Sequence, residues 1–594
     1  MKSSKQTTQH KQKSPVKSSF AIPALFRDHI FFRIILVIFI SCGGFYAAHN
    51  FIMTAALSVY AIYLFTSRKN LSFSPGFTDY AVYALVAAYC IGILTGIDKG
   101  MALTGASKFF CLLPFTLIMM QLSTTEKRSL IGLIPFSGVL SVIVCTVLLI
   151  TPMREYVFIA NRMSGFMGYA NTFALLMLAG IMCEYFYGRK NPYILIILSI
   201  GLFWSGSRTV FVMFIALVVF LGIRLFVIYD HYNIKHIIFA IMILAAIVII
   251  SLLIPATSGI FRRLTDISFN SSTFQGRLLY MQDAVPLIKR FPMGLGAFGY
   301  SYACRLTATG LYNVKYVHNS ILQLAADTGI IPALIVMMIS LVAWFKNKNY
   351  TVLFLFTHTL MDFDLEYISV IFFLIMIMEG TMKLPNAAAE QEKSPSNTKD
   401  AAKSPKNESL TGAGALIPLV ICCVFTVAAT LPGLSNMLFL LDDPEAAISV
   451  FPLNTEAREE HMTNSYNMDE IIDDVAYLMD HNAYNARAYQ MAGTLAYLNG
   501  DAEQTVNYLT REIELAPYAG VEYRSFASYL YDLAMQAEEA GDKKTYDYCV
   551  ENLNILYNFM KEKESTISFL GGRISEQPAL YLDQDAMSLI NTSD

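Results

Sequence analysis

Residues 129–151 read SLIGLIPFSGVLSVIVCTVLLIT, a stretch without a single Asp, Glu, Lys or Arg, entered directly from Lys127-Arg128. Crossing the hydrocarbon core of a bilayer takes about 20 mostly apolar residues in a helix. This run therefore reads as a transmembrane helix with its basic end in the cytoplasm. Outward from it the pattern recurs at 31–48, 50–67, 77–97, 105–122, 171–187, 192–207, 208–228, 236–254, 320–345, 351–363, 366–382 and 413–431. The expected fold class is all-α, a polytopic bundle of 12–13 transmembrane helices. Composition agrees, since 55% of the 594 residues are hydrophobic and only 15% charged. A soluble chain carries roughly 25% charged residues, so one water-soluble core is excluded.

The charges test the spans independently, because short cytoplasmic loops collect Lys and Arg. With the lysine-rich N-terminus inside, alternate loops should be basic. They are: Arg68-Lys69, Lys127-Arg128, Arg189-Lys190, Arg224 to Lys235, Lys346 with Lys348, and the stretch from Lys383 to Lys406. An odd number of spans then puts the C-terminal region outside the plasma membrane. The first run is read as a retained helix, since it lacks the short core and small-residue cleavage site of a signal peptide.

Domain organisation follows. Residues 1–28 have the composition of a basic, disordered cytoplasmic tail, and 383–412, rich in Ala, Ser, Pro and Lys, that of a disordered linker. The last span, 413–431, leads to an acidic helical domain at 440–594. Ala483 to Pro517 reads there as a helix-turn-helix around Gly500-Asp501, and Gly541-Asp542 repeats the turn loosely. This resembles a tetratricopeptide-type repeat, with a plain α-hairpin domain the alternative. The cysteines form no framework. Cys304 and Cys549 read as the water-facing pair, but neither has a partner at metal-ligand spacing, and a disulfide between them is not favoured.

Orientation places a set of polar residues on the outer face. Arg162 lies in the 152–170 loop, Ser207-Arg208 at a helix junction, and His358 with Asp362 near a helix end. The long outer loop, 255–317, holds Gly276-Arg277 and Gly294-Leu-Gly296 and runs into His318-Asn319-Ser320. Leu278 to Ile288 reads as an amphipathic helix on the membrane surface, and the Gly-Leu-Gly turn as a place where backbone approaches a ligand. Neutral imidazole at His318 can accept a hydroxyl proton. Arg162, Arg208 and Arg277 can converge on phosphate through their planar forks. Each has a bland reading beside this one: an interfacial Arg snorkels, and His358 and Asp362, four apart, can satisfy each other within the bundle. Asp362-Phe-Asp364 has the spacing of an acidic metal motif, though adjacent loop carboxylates commonly face water.

In their order along the chain these residues resemble the O-antigen ligase/polymerase superfamily. The resemblance spans about 30–382 and rests on Arg162-Met-Ser-Gly-Phe-Met-Gly-Tyr-Ala-Asn171, Ser207-Arg208, Gly276-Arg277, Gly294-Leu-Gly296, His318-Asn319-Ser-Ile-Leu322 with Asp327 and Gly329, and His358 to Asp362. It implies that 29–382 is the catalytic domain of a GT-C-type membrane glycosyltransferase. The donor would be a glycan on a polyprenyl diphosphate, and the acceptor a hydroxyl on a glycan, lipid or protein. By the same resemblance His318 is the base and Arg162, Arg208 and Arg277 hold the diphosphate, with Asn319, His358, Asp362, Gly294 and Gly296 in support and neither metal nor cofactor. No nucleic-acid partner is expected, while the outer domain could receive a protein. Asp327 departs from the Glu frequent at its position. Other readings remain: a peptidoglycan-type polymerase, a precursor transporter or flippase, and a membrane-anchored scaffold working through its outer domain.

Overall fold

The computed structural model describes residues 29–68, 70–228, 258–265, 268, 270–382, 408–411, 413–574 and 580–590. The expected tail at 1–28, the span at 236–254 and most of the linker at 383–412 lie outside them.

The fold is an all-α polytopic bundle. Its helices are α1 (Ile30–Cys42), α2 (Ala47–Arg68), α3 (Phe77–Thr95), α4 (Lys99–Met120), α5 (Thr124–Leu148), α6 (Ala170–Phe186), α7 (Pro192–Ser205) and α8 (Arg208–Ile228). After them come α9 (Ser258–Thr265), α10 (Ser272–Arg290), α11 (Ser320–Thr328), α12 (Ile330–Asn347), α13 (Tyr350–Thr359), α14 (Ile368–Gly380) and α15 (Ala413–Leu440). Among the described residues, six helices are long and apolar enough to cross a membrane: α2, α3, α4, α5, α12 and nearly all of α15. Four shorter apolar helices, α1, α6, α7 and α14, complete the apolar body. Contacts between Arg68 and Gln121, Lys127 and Glu379, and Asn349 and Thr381 gather the basic turns at one end of the bundle.

Three differences from the sequence reading have local causes. The run at 320–345 is two helices, because Gly329 adopts φ +93° between α11 and α12 and Ile330 N donates to Pro292 O instead of continuing the ladder. The end of the expected linker is ordered: β4 (Glu408–Thr411) pairs antiparallel with β1 (Asn70–Phe73) ahead of α15. The apolar face of α10 is taken up by protein rather than left free for lipid. Its Leu279, Ala284, Leu287 and Ile288 pack with Leu295, Tyr300, Tyr312 and Val317 into a small core that the long loop builds for itself.

Beyond α15 the chain forms a short helix, α16 (Pro444–Val450), and three antiparallel pairs. These are α17 (Thr455–Asn464) with α18 (Met468–His481), α19 (Ala486–Leu498) with α20 (Ala502–Leu515), and α21 (Gly520–Ala540) with α22 (Lys543–Ser565). The two Gly-Asp turns share one chemistry. Gly500 and Gly541 sit at φ +71°, ending one helix, and Asp501 and Asp542 cap the N-terminus of the next. Cys549 is fully buried in the core of the last two pairs and Cys304 in the loop core, so neither faces water and both are free thiols. The domain sits at the end of the bundle opposite the basic turns. Thr455 and Asn482 donate to Asp98 in the α3–α4 loop, and Lys315 pairs with Glu456 at 2.7 Å.

Candidate functional site

The site is built where α11 begins. His318 is held at φ +58°, a left-handed conformation that few non-glycine residues adopt. Asn319 caps α11, accepting from Ile321 N and Leu322 N at 3.0 Å, while its Nδ2 donates to Leu360 O at 2.9 Å. Ser320 Oγ donates to Asp362 O at 3.0 Å. The His-Asn-Ser string is thus a clamp, fastening the α13–α14 loop (360–367) beside the imidazole.

That loop presents Asp362, whose side chain is completely buried. Its carboxylate accepts from His318 Nδ1 at 3.1 Å, Arg277 Nη2 at 3.0 Å, Asn171 Nδ2 at 2.9 Å and Tyr169 Oη at 3.0 Å. Burial by itself would raise its pKa, but the Arg277 guanidinium and the His318 hydrogen bond hold it well below the usual carboxylate range. An ionised Asp362 accepts a hydrogen bond from His318 Nδ1–H, and in that tautomer Nε2 is the open base. Tyr280 and Phe363 flank the imidazole, with ring centroids 5.7 and 4.9 Å away.

The arginines come from three elements. β2 (Phe158–Ile159) and β3 (Arg162–Met163) form a hairpin whose two-residue turn, Ala160 and Asn161, lies at positive φ. Arg162 follows it, donating through Nε to Ser205 O at 2.8 Å and through Nη2 to Asn171 Oδ1 at 2.7 Å. Arg277, on α10, also donates to Met361 O at 2.9 Å. Arg208 opens α8 and donates through Nε to Arg263 O at 3.1 Å, and Arg263 Nε donates to Gly206 O at 3.2 Å. The last carbonyls of α7, which a helix leaves unpaired, therefore receive Arg162 and Arg263. Burial and the Arg263 charge push Arg162 down to about 10, and burial with Arg208 and Arg277 lowers Arg263. Four guanidinium groups thus crowd toward one another, and Arg277 faces Asp362. The terminal nitrogens of Arg263 have no partner among the described residues.

Several expectations change here. His358 does not pair with Asp362: α13 ends at Thr359, and His358 Nδ1 meets Asp364 Oδ2 at 2.6 Å, with Thr172 on the other Asp364 oxygen. The carboxylates of Asp362 and Asp364 therefore serve different partners, and among the described residues no acidic, His and Cys group has the form of a metal site. Gly294 and Gly296 approach the protein's own backbone. A Cβ on Gly294 would lie 2.6 Å from Asp327 O, at the break between α11 and α12, and one on Gly296 2.8 Å from Gly96 Cα, at the turn between α3 and α4. Asp327 belongs to a second network, accepting from Gln323 at 2.8 Å and from Tyr89, which also reaches Glu366. Glu366 in turn pairs with the buried Lys108 at 2.7 Å.

Arg263 and the Lys108–Glu366 pair escaped the sequence reading. Arg262-Arg263 was visible as a basic pair on the side where short loops are poor in Lys and Arg. Lys108 and Glu366, charges within apolar runs, are of the kind that marks function. Below the clamp lies an apolar cavity of about 420 Å³ between α3, α11, α12, α13 and α14, reaching from Ser320 and Leu360 down to Trp344 and Met378. Helices α12 and α13, although joined by a two-residue turn, scarcely touch, and the cavity occupies the gap.

The family model for O-antigen ligase matches residues 193–338, about a quarter of the chain. The matched stretch contains Arg208, Arg263, Arg277 and His318, and leaves Arg162, His358 and Asp362 outside. This similarity supports a membrane glycan ligase or polymerase in general terms. No curated protein and no solved structure matches the chain.

Proposed function

We propose that this protein is a membrane glycosyltransferase that moves a glycan from a polyprenyl diphosphate carrier to a hydroxyl acceptor on the outer side of the membrane. The observation that carries the reading is Asp362, which binds His318 and Arg277 with one carboxylate. It joins a base to an anion site. In the transfer, His318 Nε2 takes the proton of the acceptor hydroxyl as its oxygen bonds to the anomeric carbon. The bond from that carbon to the diphosphate breaks, and its electron pair leaves with the diphosphate. Arg162, Arg208, Arg263 and Arg277 stabilise the departing charge with cationic donors already in place, and a positioned base contributes about 10²–10⁴-fold. Tyr280, half-buried beside the imidazole, suits contact with a sugar, while Phe363 is buried against Tyr316 and Tyr169 and backs the imidazole. The apolar cavity suits the polyprenyl tail, and the helical pairs of the C-terminal domain, similar in build to tetratricopeptide repeats, suit an acceptor or partner protein.

One observation favours a second reading, a transporter of the lipid-linked precursor. The Lys108–Glu366 pair lies against the cavity, and charges inside a bundle mark translocation paths. A single comparison separates the two. Wild type and His318→Ala are produced at matched levels in native membranes, and polyprenyl-linked glycan is measured against finished glycan. A transferase stalls with precursor on the outer leaflet and product lost, a single repeat unit marking a polymerase and a long chain a ligase. Unchanged pools with the protein inserted would overturn the proposal.

A further inference from the structure

From Thr307 to Val317 the chain is neither helix nor strand, yet this segment delivers His318 in its left-handed conformation. A non-glycine residue keeps such a conformation only where its surroundings over-determine it. The restraints come from three directions. On α10, six residues beyond Arg277, the buried Asp283 accepts from Thr309 N and Oγ1 at 2.9 Å and from Tyr312 Oη at 3.2 Å, and its backbone carbonyl accepts from Thr307 Oγ1 at 2.8 Å. On α11, Gln323 Oε1 accepts from Val317 N at 2.9 Å. The third direction is the C-terminal domain.

That domain grips the segment at two places. Lys315, three residues before His318, pairs with Glu456 on α17. Farther along, the stretch after α22 lies across Thr309: Ser568 N donates to Thr309 O at 2.9 Å and the two hydroxyls are 2.9 Å apart. Gly571 packs so tightly on Thr309 O that a Cβ would overlap it, and would stand 3.1 Å from Gly310 Cα. Arg573 Nη1 donates to Asn270 Oδ1 at 3.0 Å, just ahead of α10. Ile574 enters the same apolar core as Leu279, Tyr312 and Val317.

We propose that residues 566–574, together with Glu456, are a strap that positions His318 and Arg277 for the transfer step, making the C-terminal domain a working part of the active site. This rests on the reading of His318 as the base. The strap touches neither the imidazole nor the guanidinium cluster, so its members are positioning residues acting through the 307–317 segment and α10.

The test uses the full chain in lipid nanodiscs and in native membranes. Gly571→Val forces the strap off Thr309, Thr309→Val removes the hydroxyl shared by Asp283 and Ser568, and Thr309→Ser retains it. In Gly571→Val, amide exchange should quicken in α10 and in 307–318 while α21 and α22 keep wild-type protection. Turnover should fall on the order of 10²-fold, the scale of a displacement near 1 Å at a reacting group. Thr309→Val should lose turnover and Thr309→Ser recover it. Unchanged exchange in α10 and 307–318 would overturn the strap, and faster exchange with wild-type turnover would overturn its positioning role. If Gly571→Val does not accumulate, Ser568→Ala decides, because it removes the hydroxyl facing Thr309 and leaves the Asp283–Thr309 bonds in place; unchanged exchange in 307–318 there would overturn the strap. A silent His318→Ala would sink the transferase reading separately, while the exchange data would still judge the strap.

Discussion

Replacing Asp362 with Asn keeps the size and shape of the side chain and removes its charge. In the wild-type site one carboxylate serves Arg277 at 3.0 Å and His318 at 3.1 Å, with Asn171 and Tyr169 on the remaining lone pairs. An amide offers one acceptor oxygen, so its NH₂ must face either the guanidinium or the imidazole. Facing the imidazole, it forces Nδ1 to accept, moves the ring proton to Nε2, and blocks the base. Facing the guanidinium, it leaves Arg277, whose side chain is 15% exposed, opposite a donor and without its counter-charge. Breaking one side of a buried pair costs about 3–5 kcal/mol, and the partial exposure of Arg277 places the loss toward the lower end. The turnover loss should be on the order of 10²–10⁴-fold, the range a general base supplies. The assay is glycan transfer in native membranes at matched protein levels, with thermal unfolding in detergent to separate stability from rate. With His318 truncated, the new amide can turn its NH₂ to the vacated side and keep its oxygen on Arg277, so the double variant Asp362→Asn/His318→Ala should be no slower than His318→Ala alone. Turnover within about threefold of wild type, or losses that multiply in the double variant, would refute the coupled base.

Three further outcomes are expected. Arg263→Ala should raise the donor KM on the order of tenfold with folding intact, and Arg263→Lys should recover only part, because an ammonium lacks the planar fork; an unchanged KM would remove Arg263 from the anion site. Met337→Trp should fill part of the cavity of about 420 Å³ and slow transfer from long-chain donors while sparing a short-prenyl analogue; equal rates for both would place the tail elsewhere. Glu459, at the contact with Tyr302, is pushed up to about 7 by burial, against the lowering pull of Asn485 and Tyr302. A carboxyl whose folded pKa is raised stabilises most below its unfolded value, about 4.3, and loses that contribution as pH climbs through the folded value. Exchange protection around Tyr302 should therefore decline between about pH 5 and 7 in wild type. Glu459→Gln should remove the slope, and an identical slope in the variant would count against Glu459.

Much of the bundle was readable because a bilayer leaves the backbone few choices. An apolar run of sufficient length must be helical to satisfy its own N–H and C=O groups, and each expected span within the described residues contains a helix, with ends that differ by a few residues. Misreadings came where partners decide. Gly329 breaks a continuous apolar run only because Pro292 O and the backbone near Gly294 occupy the groove beside it. Leu278 to Ile288 is amphipathic whether its apolar face meets lipid or protein, and Tyr300, Tyr312 and Val317 settle which. His358 and Asp362 are four apart, but the helix ends between them, and Asp364 takes the histidine.

By itself, the sequence determined the membrane class, the alternation of basic loops, and the His318 string with arginines in three separate segments, since hydropathy, charge and residue type are local properties. The tertiary structure alone decided that Asp362 is the carboxylate beside His318, that Arg263 joins Arg162, and that the chain beyond Ser565 returns to Thr309. Those pairings join residues from 44 to 259 positions apart. Spacing along a chain carries no information about contacts that only packed helices bring within hydrogen-bonding reach.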